Sequence, residues 1–367
     1  MTQRVRRSVV GLVLAAAAAS NADWLTAQQK KGTPKMTRKE RVAADTTPYK
    51  QTALFRANDP IELTLTMNLR QVRKDRTPDA PWRPASIGYT SLEGEKVVVP
   101  ARVRPRGIWR MKNCDIPPLR IDFAKGNVKK TLFSGQDRVK LVLPCHNNDR
   151  YEGFVLEELQ LYRIYQLLTP LSHRARLIRL TIADSGTAKV EMNRWAFLME
   201  DELELAKRIG GRSYEAKGAS SRDLEPRTSA ILGLFQYLIA NTDYSVPSLH
   251  NVELFARDTS VYPIAYDFDF AGVINTPYAV PDYRLPIKRV TQRLFRGPCA
   301  PESHYPDAVE LFTSRRDSIV ALYRDDIGRR IAPGRVKETL EYYDEFYKTL
   351  RDPRQFKRDV VDACAGM

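Results

Sequence analysis

Apolar and polar residues alternate through the first half of the chain and recur at helical spacing through most of the second. Alternation over 61–69, 96–109, 119–123 and 138–143, between turns rich in Pro, Gly and Lys, predicts four strands. Phe154, Leu156, Leu159, Leu161, Ile164, Leu167 and Leu168 then recur at helical spacing and predict a helix over 153–168. Strands over 176–182 and 190–200 follow, and after them helices over 202–209, 229–241, 308–324 and 336–350. No internal repeat is visible. The pattern predicts an α+β fold, with a strand-rich part over 51–200 that holds one helix and a helical part over 201–367. Inside the helical part, 241–270 reads as a loop-strand-loop excursion.

The chain begins with Arg4, Arg6 and Arg7, a short apolar run from Val9 to Ala19, and small residues after it. That is the layout of a secretory signal peptide, because so short a run cannot span a bilayer core. Cleavage after Ala22 or after Ala27 fits the small-residue rule, so 1–27 is read as a signal peptide. No later stretch is apolar enough to span a membrane, and the mature protein is expected in the periplasm, the envelope or the medium. Residues 28–50 are polar, basic and aperiodic and read as a flexible linker.

The net charge is +15, and it stays strongly positive after loss of 1–27. Such an excess favours acidic partners, including nucleotide phosphates and acidic proteins. No helix-turn-helix, zinc-finger or RNA-binding signature is present, so nucleic acid is not expected. The four cysteines, Cys114, Cys145, Cys299 and Cys364, permit two disulfides in an exported protein, with three possible pairings.

The candidate chemistry lies in the excursion. Tyr262-Pro263-Ile264-Ala265-Tyr266 runs into Asp267-Phe268-Asp269-Phe270, and Asn241-Thr242-Asp243 and His250-Asn251 stand just upstream. Acids set among aromatic and aliphatic residues are costly unless paired or bound to metal. Three acids and an Asn are also what a protein needs to hold Mg²⁺ and orient a hydroxyl beside it. The order of strands, helix, strands and metal-capable loop matches a two-lobed kinase. There a strand Lys, a helix Glu, a catalytic Asp, a metal-binding Asn and a second metal-binding Asp appear in that sequence. Lys140 lies within an apolar strand, Glu158 or Glu157 on the helix after it, and Asp243, Asn251 and Asp267 complete the set. The H-R-D and D-F-G patterns of ordinary protein kinases are absent.

Several motifs together resemble the spore-coat protein H (CotH) family of atypical, kinase-like proteins, in particular an exported bacterial branch. They are Arg106-Gly107-Ile108-Trp109, Pro118-Leu119-Arg120-Ile121-Asp122-Phe123, Val139-Lys140-Leu141-Val142, Glu158 in Val155-Leu156-Glu157-Glu158, and the three segments of the excursion. The resemblance covers roughly 100–300. The family's Arg-Gly-Asn-Ser-Ser-Trp start is shortened here to Arg106-Gly107-Ile108-Trp109. The resemblance implies an atypical two-lobed kinase fold, with a strand-rich N-lobe and a helical C-lobe. It also implies binding of ATP with Mg²⁺ or Mn²⁺, and phosphorylation of Ser or Thr in extracytoplasmic proteins.

On this reading Asp243 orients or deprotonates the acceptor hydroxyl. Asn251 and Asp267 hold metal, and Asp269 is a second ligand or a structural acid. Lys140, held by Glu158, faces the phosphates, and Arg106 and Arg120 can reach them. The Pro-rich segment 272–299, with Arg284, Lys288, Arg289, Arg293 and Arg296, is placed to dock an acidic acceptor. Two other readings use the same residues: a kinase-like pseudoenzyme or envelope-binding protein without turnover, and a metal-dependent phosphodiesterase or nuclease.

Overall fold

The computed structural model describes residues 37–43 and 47–364. The expected signal peptide, 1–27, lies outside these residues, as do 28–36 and 44–46 of the expected linker. The chain divides into two units, Met1–Thr47 and Pro48–Met367. The described part of the first holds a short helix, Arg38–Ala43. All that follows concerns the second.

Alternation in sequence becomes alternation in burial. In β1 (Ile61–Met67) Leu63, Leu65 and Met67 point inward. In β3 (Lys96–Pro105) Val99, Ala101 and Val103 do so, while Arg102 and Arg104 face out. β2 (Arg83–Thr90) lies between them. In β4 (Leu119–Phe123) and β5 (Arg138–Val142) the inward residues are Leu119, Ile121, Phe123, Val139 and Leu141, but Asp122, Lys140 and Val142 on the other face are buried too. β6 (Ala175–Asp184) and β7 (Val190–Glu200) complete a closed barrel in the order β1-β2-β3-β4-β5-β7-β6, closed by parallel pairing of β1 with β6. Inside it the inward residues of all seven strands form one apolar core.

The strands β6 and β7 serve two cores. Ile178 and Leu198 fill the barrel, whereas their neighbours Leu177, Phe197 and Met199 point the other way, into a second core. That core is built by the long helix α3 (Asp149–Leu168), α5 (Pro226–Leu238), α6 (Tyr305–Leu322) and α7 (Pro333–Arg351). Two short helices, α1 (Leu69–Lys74) and α2 (Trp109–Asn113), flank the barrel strands, and α4 (Glu202–Arg208) follows β7. A second, three-stranded sheet in the order β10-β9-β8 is made of β8 (Arg212–Tyr214), β9 (Val252–Arg257) and β10 (Ser260–Ala265). Pro263 is tolerated because β10 is an edge strand.

The α+β class read from the sequence is the class observed. Barrel closure, the small sheet inside the otherwise helical part, and β2 are additions to that reading. The strand expected over 96–109 stops at Pro105. Gly107 takes a positive φ of 84°, which only glycine adopts freely, and the chain then turns into α2. The strand expected over 61–69 ends at Met67, because the Asn68 side chain accepts from the Gln71 N–H and starts α1. The helix expected from 153 starts at Asp149, capped in the same way by Asn148.

Two disulfides form, in one of the three possible pairings: Cys114 with Cys145, and Cys299 with Cys364. The first ties the end of α2 to the segment after β5. Among the described residues no helix is long and apolar enough to cross a membrane.

Candidate functional site

A cleft of about 560 Å³ brings together seven of the eight residues singled out in the sequence: Arg106, Arg120, Lys140, Asp243, Asn251, Asp267 and Asp269. Its walls carry opposite charge.

The basic wall is the outer face of β3, β4 and β5. Strand register sets Arg104 opposite Arg120, and Arg120 opposite Lys140, so three cations stand side by side across three strands. Like charges in direct cross-strand register repel. Glu202 relieves part of this, lying 3.5 Å from Arg120 and 3.2 Å from Lys140. Arg104 stacks over Trp82 at 4.8 Å, and its Nε is buried without a hydrogen-bond partner. Lys140 is almost completely buried. Burial opposes its charge, but Glu253, 3.0 Å away, and Glu202 outweigh that and raise its pKa. On Glu253 burial likewise opposes ionisation, yet Lys140 and His173 pull its carboxyl down to about 2.

The acidic wall comes from the loops around β9 and β10. Phe268 is fully buried against Tyr162 and Phe235, which anchors the Asp267-Phe268-Asp269 turn in the helical core. Asp267 adopts a positive φ of 63° and donates its N–H to the Tyr162 hydroxyl at 2.8 Å. Asn251 is also left-handed, at 52°. Leu249, which also lines the cleft, has a φ of 54°, so three non-glycine residues of one cleft share this sparsely populated region, as backbone at functional sites often does. Asn251 Nδ2 donates to the Asp243 carbonyl at 2.7 Å and to its Oδ2 at 3.1 Å, which leaves Asn251 Oδ1 as the side chain's remaining acceptor. Asp243 is further held by Asn241, whose Oδ1 accepts the Asp243 N–H at 3.0 Å.

Asp269 and Glu158 lie deeper, on either side of Arg110. Arg110 is 3.4 Å from Glu158 and 3.8 Å from Asp269, and it donates to the Leu143 carbonyl at 2.6 Å. Tyr278 donates to Asp269 at 3.1 Å. Burial, with Asp267 nearby, pushes Asp269 up to about 7 despite Arg110. Burial pushes Glu158 up to about 8, again against the pull of Arg110. One Glu158 oxygen, Oε1, has no hydrogen-bond partner.

These contacts correct one expectation. Lys140 does not pair with Glu158: Arg110 takes Glu158, and Glu253 and Glu202 take Lys140. Arg110, Glu202 and Glu253 were not singled out in the sequence. The signal for Glu253 was present, a carboxylate among Val252, Leu254 and Phe255. Arg110 lies one residue past the expected end of the 96–109 strand and carried no signal of its own. The alternative Glu157 pairs with Arg335 at 2.7 Å, away from the cleft. Part of the basic 272–299 segment is likewise spent internally. Arg293 and Arg296 donate to backbone carbonyls of Tyr342 and Thr242, and Arg284 pairs with Asp282, while Lys288 and Arg289 remain exposed.

Among the described residues no group of three His, Cys, Asp or Glu side chains converges as a ready-made metal cage. The oxygen donors present are nonetheless of the kind a hard cation takes. Mg²⁺ is commonly held by one or two carboxylates together with substrate phosphates. The orphaned Glu158 oxygen and the mutual repulsion of Asp267 and Asp269 are further reasons a cation would be favoured nearby. In comparisons with known proteins, no family model and no curated protein matches the chain.

Proposed function

We propose that this protein is an exported atypical kinase of the CotH-like kind. In this reading it transfers the γ-phosphoryl group of ATP, with Mg²⁺ or Mn²⁺, to Ser or Thr hydroxyls of extracytoplasmic or envelope proteins. Its barrel and helical parts would act as the two lobes. The observation that carries the reading is the cleft with cations of three barrel strands on one wall and Asp243, Asn251 and Asp267 on the other. A metal-bound nucleotide has the same polarity, with phosphates for the first wall and a cation for the second.

Bound nucleotide and metal would supply the transferable phosphoryl group and neutralise its charge. Lys140, Arg106 and Arg120 would face the phosphates, Asn251 and Asp267 would hold the metal, and Asp269 would serve as second ligand or structural acid. Asp243 accepts the acceptor hydroxyl's proton as that oxygen bonds to the γ-phosphorus and the bond from phosphorus to the β–γ bridging oxygen breaks, releasing ADP. The exposed Lys288 and Arg289 favour an acidic acceptor. Two disulfides are consistent with an oxidising compartment outside the cytoplasm.

A second reading, a kinase-like binding protein without turnover, draws on the pairing of Glu158 with Arg110 rather than with Lys140. Thermal unfolding with ATP, Mg²⁺ and Mn²⁺, separately and together, tests the first. Nucleotide with metal at saturation should add about 2–4 kcal/mol of stability, and Asp267→Asn should remove the metal-dependent share. No stabilisation by ATP and metal together would sink the kinase reading. Stabilisation without phosphate transfer to Ser or Thr acceptors would favour the second.

A further inference from the structure

An ammonium taken out of water needs carboxylates around it, and the residue that supplies them fixes where the ammonium sits. For Lys140 two carboxylates compete. Glu202 is shared, since its side chain also serves Arg120. Glu253 has no second cation of that kind. Its Oε1 is 3.0 Å from Lys140 Nζ, and its Oε2 is 2.9 Å from His173 Nε2. His173 is itself fully buried, with Nδ1 3.1 Å from the Glu200 carbonyl. Glu200 in turn is held by Arg208 at 2.8 Å. The Tyr266 ring flanks the ammonium, 5.1 Å from its centroid to Nζ. Glu253 therefore joins the barrel lysine to β9, the strand that begins immediately after Asn251. Glu158 makes its ion pair with Arg110 at 3.4 Å, whereas the ion pairs of Lys140 are with Glu202 and Glu253.

We infer that Glu253, steadied by His173, is the residue that positions Lys140 at the phosphate-facing wall, and that Glu158 positions Arg110 instead. An ammonium has three donors. Glu253 takes one of them, and Glu202 Oε2, 3.2 Å away, is an ion partner without a hydrogen bond, so donors remain for a ligand in the cleft. The inference rests on the phosphoryl-transfer reading for its catalytic consequence, but not for the pairing itself.

Two measurements on the full chain separate these. The first is nitrogen-15 NMR of the lysine side-chain ammonium groups, with the Lys140 signal assigned by its loss in Lys140→Arg. A slowly exchanging Lys140 signal is expected in the wild type. It should vanish in Glu253→Gln, persist in Glu253→Asp and persist in Glu158→Gln. Persistence in Glu253→Gln, or loss in Glu158→Gln alone, overturns the pairing.

The second is steady-state phosphate transfer with ATP and Mn²⁺. Glu253→Gln should lower kcat/KM by about 10²-fold, the scale of a misplaced reacting group. Glu253→Asp should recover part of the loss, and the temperature of unfolding should fall far less than activity does. Active wild type with an unchanged Glu253→Gln overturns the positioning role alone. A wild type that neither binds nor turns over nucleotide overturns the function, and the role of Glu253 in it.

Discussion

His250 holds Asp243 in place: its Nε2 lies 3.0 Å from Asp243 Oδ1, at the rim of the cleft where both side chains are partly exposed. The contact favours the protonated imidazole, whose pKa is raised chiefly by this hydrogen bond. With Asn251 on its other oxygen, Asp243 is fixed from two sides but still open to an incoming hydroxyl.

Asp243→Asn should therefore leave ATP–metal binding intact and lower transfer to Ser or Thr by ~10²–10⁴, the usual contribution of a general base. Radiolabel transfer and thermal shift, measured side by side, check this. Loss of nucleotide binding in the variant would make Asp243 a metal ligand instead.

Arg110 is the only cation placed between Glu158 and Asp269 in the contacts described above, and all three are buried. Removing one partner of a buried ion cluster leaves the other charges uncompensated, at a typical cost of about 3–5 kcal/mol. Arg110→Met should lower stability by that amount in denaturant unfolding. A loss below about 1 kcal/mol, the range of an exposed pair, would show that the cluster is open to water.

Glu204, mostly buried beside Glu200, has its carboxyl pushed up to about 8, first by burial and then by that neighbour, against hydrogen bonds from Thr52 and Gln136. An unfolded chain would release the proton near 4.5. Between those two values the unfolded state loses a proton that the folded state keeps, so rising pH erodes stability. Glu158 and Asp269 act in the same direction. Glu204→Gln should flatten the decline over that window and leave stability at lower pH nearly unchanged. Parallel wild-type and variant curves of unfolding free energy against pH would refute the shift.

The Cys114–Cys145 bridge closes a loop with a sequence separation of 31. In the chain-entropy account such a bridge stabilises by about 3–4 kcal/mol. Cys114→Ser with Cys145→Ser should cost that order in unfolding free energy. Because the bridge ties down α2, which carries Trp109 and Arg110, it should weaken nucleotide binding more than loss of Cys299–Cys364 does. Equal effects of the two pairs on binding would count against a link between this bridge and the cleft.

What the sequence disclosed followed from local chemistry. Asp243, Asn251, Asp267 and Asp269 were legible because carboxylates and an amide beside an apolar run demand an explanation, and the cleft gathers all four. Lys140 was legible for the same reason. Its partner was not, because Glu253 lies 113 positions away and only the contact of the two side chains in the folded chain reveals it. β2 escaped notice since Pro84, Ser86 and Gly88 are poor strand formers; Pro84 is tolerated near the start of the strand because it lies outside the stretch that pairs with β1 and has a partner only in β3. The run over 96–109 hid a turn because Ile108 and Trp109 look like strand residues, although they lie on the exposed rim.

Closure of the barrel bears on the order in which the chain can fold. Ile61 finds its parallel partner only at Ile178, so the first strand waits for most of the barrel's chain to appear before its second side is satisfied. Until then the first strand offers open backbone groups to any neighbour. Contacts this distant along the chain slow folding. A fragment ending before β6 would keep that side unpaired, and it should self-associate at concentrations where the complete barrel does not.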